Sequence, residues 1–148
     1  MRKIEIVTVI LILIAIFLMT FKIEGALALT VILFFFLSLI YFFAGSILLN
    51  GISFRDIFRS VTYSDLGGRR LVWSILSGIV LSLSVLGLVF PVMKWEGAHT
   101  IIISVGILLF PVWIISLIYT IRNSKLSRNI FLRATIILFL FIVALMIK

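Results

Sequence analysis

The sequence predicts an all-α protein that lies in a membrane as a polytopic bundle of five transmembrane helices. Of its 148 residues, 64% are hydrophobic and 12% are charged, and the mean hydropathy is +1.43. A soluble domain has roughly 45–50% apolar and about 25% charged residues, and so short a chain has too little interior to bury this much apolar side chain. Five apolar stretches approach the length of about 20 residues that crosses a bilayer as a helix.

The five predicted spans form one membrane domain. They cover about residues 4–21, 26–49, 71–93, 101–121 and 130–147. The first apolar run is longer than the core of a signal peptide, which has about 7–15 residues, so we expect it to remain as a helix. The connections around Glu24 and Glu96 are very short. The first four spans must therefore form two antiparallel hairpins.

Basic residues are distributed unevenly between the two ends of the spans. With the N-terminus in the cytoplasm, ten of the 13 Lys and Arg residues lie on the inner side. The three outer ones are Lys22, Lys94 and Lys148. Because cytoplasmic connections carry the excess of Lys and Arg, we expect the N-terminus inside and the C-terminus outside. The net charge of +8 then reflects membrane topology, and we expect no nucleic-acid partner.

The longest polar segment, residues 50–70, contains a candidate interfacial helix at about residues 53–62. Ser53 and Asp56 have the spacing of a capping box. The apolar positions follow helical spacing and are Phe54, Ile57, Phe58 and Val61. The predicted interfacial basic residues of this segment are Arg55, Arg59, Arg69 and Arg70. We expect the segment to lie on anionic headgroups, with docking of a cytoplasmic partner as the alternative.

Two outer connections have nearly the same sequence. The string KIEGA at 22–26 matches KWEGA at 94–98 without a gap. Each follows a span that runs outward and precedes one that returns. We interpret the pair as a tandem duplication in one orientation. The last span, which ends at Lys148, would be half of a third copy.

Most residues of these connections have an ordinary role at a helix end. The candidate residues are Lys22, Glu24, Lys94, Trp95, Glu96 and His99. Trp and Lys favour the membrane–water boundary, Gly97 permits a tight turn, and a Glu complements the positive end of the next helix. The alternative is a metal or proton site at Glu96 and His99, although two ligands are too few for zinc.

The string F-P-V-M-K-W-E-G-A-H, Phe90 to His99, resembles the hairpin signature F-K-x-x-x-W-P-G-A of the GldL family. That family comprises the small transmembrane subunit of the Bacteroidota gliding-motility and type IX secretion motor, and related small membrane proteins. The resemblance implies a hairpin protein of the bacterial cytoplasmic membrane. The chain departs from the signature because Glu96 replaces its Pro and Lys94 is displaced.

The motor subunit is thought to use an acidic residue inside a membrane helix. Here the second to fifth spans contain none, and Glu5 lies at the inner edge of the first, so the resemblance does not extend to an ion-driven motor.

Three features inside the spans also stand out. Small residues recur every four positions in the third span, at Ser74, Gly78 and Ser82, a spacing that lets membrane helices approach closely. Pro111 interrupts the fourth span and predicts a kink. Arg133 is a charge about one turn inside the last span, where snorkelling to the interface and a functional role are both possible.

No constellation of catalytic residues is recognisable. Cysteine is absent, and the sequence contains no HExxH or phosphate-binding loop. A triad would have to join His99 to Asp56 or Asp65 across about 30 Å of hydrocarbon. We therefore expect no enzymatic activity, cofactor or metal.

The expected function is that of a structural or accessory subunit of a bacterial envelope complex, with the lipid bilayer and either a second copy or a larger membrane complex as partners. The alternative is a small channel or transporter for an apolar or weakly polar solute.

Overall fold

Long apolar runs that keep their backbone hydrogen bonds within the segment fold as helices, as a bilayer requires. A computed structural model describes residues 2–50, 68–121 and 125–146. All regular secondary structure in these residues is α-helical, as the sequence predicts. The helices are α1 (Arg2–Thr20), α2 (Ala26–Asn50), α3 (Gly68–Gly87), α4 (Val89–Val92), α5 (Ala98–Ile121) and α6 (Lys125–Met146).

A proline divides the third predicted span, about 71–93, into α3 and α4. Pro91 has no N–H to donate to the carbonyl of Gly87 four residues earlier, and its ring crowds that carbonyl. α3 accordingly ends at Gly87, and the N–H of Leu88 donates to Val85 at 3.2 Å. The predicted span does not include this division. By contrast, α5 remains helical through Pro111.

The helices pack as two hairpins with a fifth long helix against them. α1 packs on α2, and α3 packs on α5. The most extensive contact joins α2 to α3 and so joins the hairpins, while α6 packs mainly on α5 and also contacts α3 and α2. α3 therefore lies at the centre of the bundle. The core includes Leu81, Val85, Leu109, Ile130 and Ala134.

The small residues of α3 lie in this centre. Ser74 and Ser82 are buried, and so is Gly78. The hydroxyl oxygens of Ser82 and Ser38 are 2.8 Å apart, and the Ser38 hydroxyl also approaches the carbonyl of Ser82 at 3.2 Å. At Ser82, the neighbour of the small-residue face is thus α2 of the same chain.

Three helical stretches are long and apolar enough to cross a membrane. They are Ala26–Phe43, Val72–Val92 and Ala98–Ile121. Large apolar side chains also cover the outward faces of the bundle: Phe43 is 72% exposed, Ile107 66% and Phe139 64%. Exposure of such an apolar surface to water is unfavourable, whereas contact with lipid is not. The chain thus has the features of a membrane protein. That α1 and α6 are also spans remains a prediction.

Candidate functional site

A buried charged cluster joins the first and last helices of the bundle. Arg133 on α6 donates from Nε to Glu5 Oε1 at 2.5 Å and from Nη2 to Glu5 Oε2 at 2.6 Å. Tyr41 on α2 donates its hydroxyl proton to Glu5 Oε1 at 2.7 Å. Glu5 and Tyr41 are 7% and 4% exposed, and the side chain of Arg133 is 15% exposed. We call these three residues the charged cluster.

Helix register brings the charged cluster together. Glu5 lies 15 residues before Thr20, the last residue of α1. Tyr41 lies 15 residues after Ala26, the first residue of α2. From the rise of an α-helix, both are about 22 Å from the turn that joins the two helices. Arg133 reaches them from α6, and its Nη1 donates to the carbonyl of Asn129 at 3.2 Å. A hydrocarbon layer about 30 Å thick would contain the whole cluster if that turn lies at one boundary.

The geometry favours mutual neutralisation of the charges. The planar guanidinium matches both carboxylate oxygens, which is the strongest arrangement of an Arg–carboxylate pair. The Tyr41 hydroxyl adds a third hydrogen bond to the same carboxylate. Since α1 packs mainly on α2, the pair supplies a direct link between α1 and α6. The cluster therefore holds helices together, and the removal of one charge would leave the other buried without it.

The sequence pointed to only part of this cluster. The sequence leaves both snorkelling and a functional role open for Arg133, and the structure shows that its partner is Glu5. The sequence pattern does not distinguish Tyr41 from the other residues of the second span. The available signal was one acid near the start of the first span and one base near the start of the last, with opposite charges at similar predicted depth.

We name the two hairpin turns outer turns after the side of the membrane on which they are predicted to lie. The first outer turn, residues 21–26, has a specific backbone conformation. Lys22 has φ +55° and Gly25 has φ +83°. The N–H of Ile23 donates to the carbonyl of Leu18 at 3.4 Å, and that of Lys22 donates to Met19 at 3.1 Å. These two bonds constitute the Schellman ending of a helix, with a Lys where Gly is usual.

The outer turn of the second hairpin, residues 93–98, repeats this conformation. Lys94 has φ +53° and Gly97 has φ +88°. The N–H of Trp95 donates to Phe90 at 3.1 Å, and that of Lys94 donates to Pro91 at 3.0 Å. The rings of Phe90 and Trp95 stack with centroids 5.4 Å apart, the apolar contact that often accompanies this ending. Each of these bonds has its counterpart in the first turn when Lys22 is aligned with Lys94.

The side chains of the outer turns are exposed. The exposed candidates are Lys22, Glu24, Lys94, Trp95, Glu96 and His99. Among the residues that the structure describes, none forms a hydrogen bond or ion pair with the side chains of Lys94, Glu96 or His99. The same residues contain no group of three or more His, Asp or Glu that could hold a metal ion. The described residues therefore add no third metal ligand to Glu96 and His99.

Part of the predicted inner surface lies outside the described residues. This applies to Arg55, Arg59 and the interfacial helix predicted at about residues 53–62. For Arg69 and Arg70, the structure describes only their place in the first turn of α3. Pro111 lies within α5, on its exposed side.

The structure also shows a polar contact between α5 and α6 that the sequence pattern does not predict. The indole N–H of Trp113 donates to Thr135 Oγ at 2.9 Å, and the Trp113 ring lies 5.7 Å from that of Phe131. This contact and the charged cluster both fix α6 against earlier helices.

The comparisons with family models, curated proteins and solved structures found no match, so the resemblance to the GldL family remains a prediction.

Proposed function

We propose that the chain is a non-enzymatic integral membrane protein, a structural or accessory subunit of a bacterial envelope complex. The observation that carries this proposal is the charged cluster, in which Glu5 is engaged by Arg133 and Tyr41. Ionisable groups within membrane helices usually mark transport or proton paths. Here they are committed to one another and join helices, which favours a structural role.

The two outer turns support a tandem origin for the hairpins. Their positive-φ residues and hydrogen bonds recur at matching positions of the aligned turns. In this proposal, α1–α2 and α3–α5 are two copies in one orientation, α6 is half of a third, and all five long helices cross the membrane. A repeated pair of rigid hairpins offers the same outer turn twice, as suits a scaffold in a larger assembly.

The orientation in this proposal follows the distribution of basic residues. The N-terminus is cytoplasmic, and Lys22, Lys94 and Lys148 are on the outer side of the bacterial cytoplasmic membrane. The outer turns are then available to envelope partners. The partner is either a second copy of the chain or another membrane protein.

The experiment is covalent cross-linking in intact membranes before solubilisation, followed by purification in mild detergent and mass spectrometry. We expect the chain in a complex of defined stoichiometry, with cross-links at the outer turns or on the exposed helix faces. The control is an unrelated polytopic protein carrying the same tag at a matched expression level. A monomer without partners would contradict the proposal. Solute flux in proteoliposomes would favour the transporter instead.

A further inference from the structure

An apolar groove runs along the surface between α5 and α6. Its volume is about 520 Å³, and only apolar residues line it, among them Ile102, Gly106, Pro111, Leu138 and Phe141. The groove is open to the surroundings rather than enclosed. Its floor is low at Gly106 because that residue has no side chain, and a Cβ built there would lie 3.8 Å from the ring of Phe141.

The length of the groove indicates what can occupy it. On α5 it extends from Ile102 to Pro111, which is about 14 Å along the helix axis. That is about half of a 30 Å hydrocarbon layer. One leaflet provides this length for an acyl chain, so the groove matches the hydrocarbon of a single lipid.

The end of the groove nearest the outer turn has a polar residue above it. His99 lies three residues before Ile102 and seven before Gly106, so it shares their face of α5. His99 is exposed, and Glu96 and Lys94 of the adjoining turn are also exposed. The turn thus carries a carboxylate six residues and an ammonium eight residues before Ile102, the first residue of the groove. This pair complements a headgroup that carries both a phosphate and an ammonium, whereas Glu96 would repel a purely anionic headgroup.

The first hairpin lacks both features at the matching positions. In the alignment that pairs Lys22 with Lys94, Gly106 corresponds to Phe34 and His99 to Leu27. Phe34 is 6% exposed and belongs to the core. The two differences fall on one face of α5, one at the groove and one at its mouth.

From the groove and the adjoining turn, we infer that the second hairpin binds one zwitterionic phospholipid from the outer leaflet. Its headgroup carries a primary ammonium, which can donate hydrogen bonds to the Glu96 carboxylate as a quaternary ammonium cannot. One acyl chain lies in the groove between Ile102 and Pro111. The phosphate lies near Lys94 and His99, and the ammonium lies near Glu96. The ligand is a lipid of the surrounding bilayer.

The test is native mass spectrometry of the full chain, released from nanodiscs that contain equal parts of phosphatidylethanolamine, phosphatidylglycerol and phosphatidylcholine. We expect one phosphatidylethanolamine to remain on the wild-type chain. Gly106→Leu fills the groove and should reduce that retention at least about tenfold, because buried methylene groups contribute strongly to binding. Leu108→Phe, on the same helix but outside the groove, should retain the lipid.

A second variant addresses the headgroup without disturbing the helices. Glu96→Gln should lower the ratio of phosphatidylethanolamine to phosphatidylglycerol about two- to fivefold, as expected for an exposed ion pair. Equal retention of all three lipids by wild type, or unchanged retention in both Gly106→Leu and Glu96→Gln, would overturn the inference. A dimer that Gly106→Leu abolishes would also overturn it, because the groove would then hold a second copy.

Discussion

At the scale of single residues, the buried ion pair between Arg133 and Glu5 determines how strongly a substitution of either residue affects stability. Arg133 and Glu5 are nearly buried and share two hydrogen bonds. Desolvating two ions is costly, and their mutual attraction offsets that cost only while both are present. The pair is therefore more sensitive to the loss of one member than to the loss of both.

We expect Arg133→Met to destabilise the protein by about 3–5 kcal/mol, because it leaves the carboxylate of Glu5 buried without its counter-ion. The double variant Glu5→Leu with Arg133→Met should recover most of that loss, since no unpaired charge remains. The measurement is reversible unfolding in mixed micelles, with Leu132→Met as the control on an exposed face of α6. Additive losses in the double variant would contradict the interpretation.

The two outer turns depend on backbone conformations that few residues adopt. Gly97 has φ +88° and Gly25 has φ +83°, and no atom beyond the glycine and its two chain neighbours lies within 4 Å of a Cβ built at either position. Any penalty for a side chain there must come from the backbone itself.

Gly97→Ala should therefore cost about 1–3 kcal/mol through backbone strain alone. Gly106→Ala is the matched control, because its Cβ would make only an ordinary contact of 3.8 Å with Phe141. We expect that control to be neutral or slightly stabilising, since Ala is the better helix former. Thermal unfolding of the two variants in detergent compares them directly, and equal melting temperatures would show that the turn is not strained by a Cβ.

At the scale of helices, polar groups that form hydrogen bonds between helices mark the faces that pack together, whereas the periodicity of apolar residues does not separate these faces from the exposed ones. Ser38 and Ser82 join α2 to α3, and Trp113 with Thr135 joins α5 to α6. Between membrane helices, packing and such hydrogen bonds drive association, because lipid is as apolar as the side chains.

We expect Ser38→Ala and Ser82→Ala each to destabilise the bundle by about 0.6 kcal/mol, and by no more than about 1.7 kcal/mol. In a double-mutant cycle, their losses should be less than additive because each removes the same hydrogen bond. Ser104→Ala is the control, since the Ser104 hydroxyl is exposed and, within the described residues, bonds to the carbonyl of Thr100 in its own helix. A strictly additive cycle would mean that the two hydroxyls do not interact in the membrane.

At the scale of the whole molecule, the basic residues predict a topology that the helices alone do not determine. The chain contains no cysteine, so single cysteines can report sidedness without background labelling. Lys94 lies in an outer turn and Lys3 at the opposite end of the first hairpin, and both are exposed.

We expect Lys94→Cys to react with a membrane-impermeant maleimide in intact spheroplasts. Lys3→Cys should react only after the membrane is permeabilised, because positive residues favour the cytoplasmic side. Labelling is quantified by the mass shift of the purified chain. The reverse pattern would invert the proposed orientation and would place the outer turns in the cytoplasm.

Much of the fold could be predicted from the sequence because its causes are local. Apolar runs of membrane length fold as helices, so α2 and α5 begin at or near their predicted positions and end within one residue of them. The matching turn sequences were visible as strings, and Gly at the same place in each indicated the same bend. The break at Leu88 also has a local cause, Pro91, although the predicted span runs through both residues.

Residue contacts between distant parts of the chain could not be predicted in the same way. Helices that face lipid are apolar on every side, so the periodicity of the sequence does not reveal which face meets a neighbour. The sequence by itself determined the helical class, the membrane character and the repeated turn. Only the tertiary structure decided that Glu5, Tyr41 and Arg133 meet, that Ser82 contacts Ser38, and that Gly106 opens a groove over Phe141. These contacts join residues on different helices that are far apart in the chain, and they depend on how whole helices pack rather than on any local pattern.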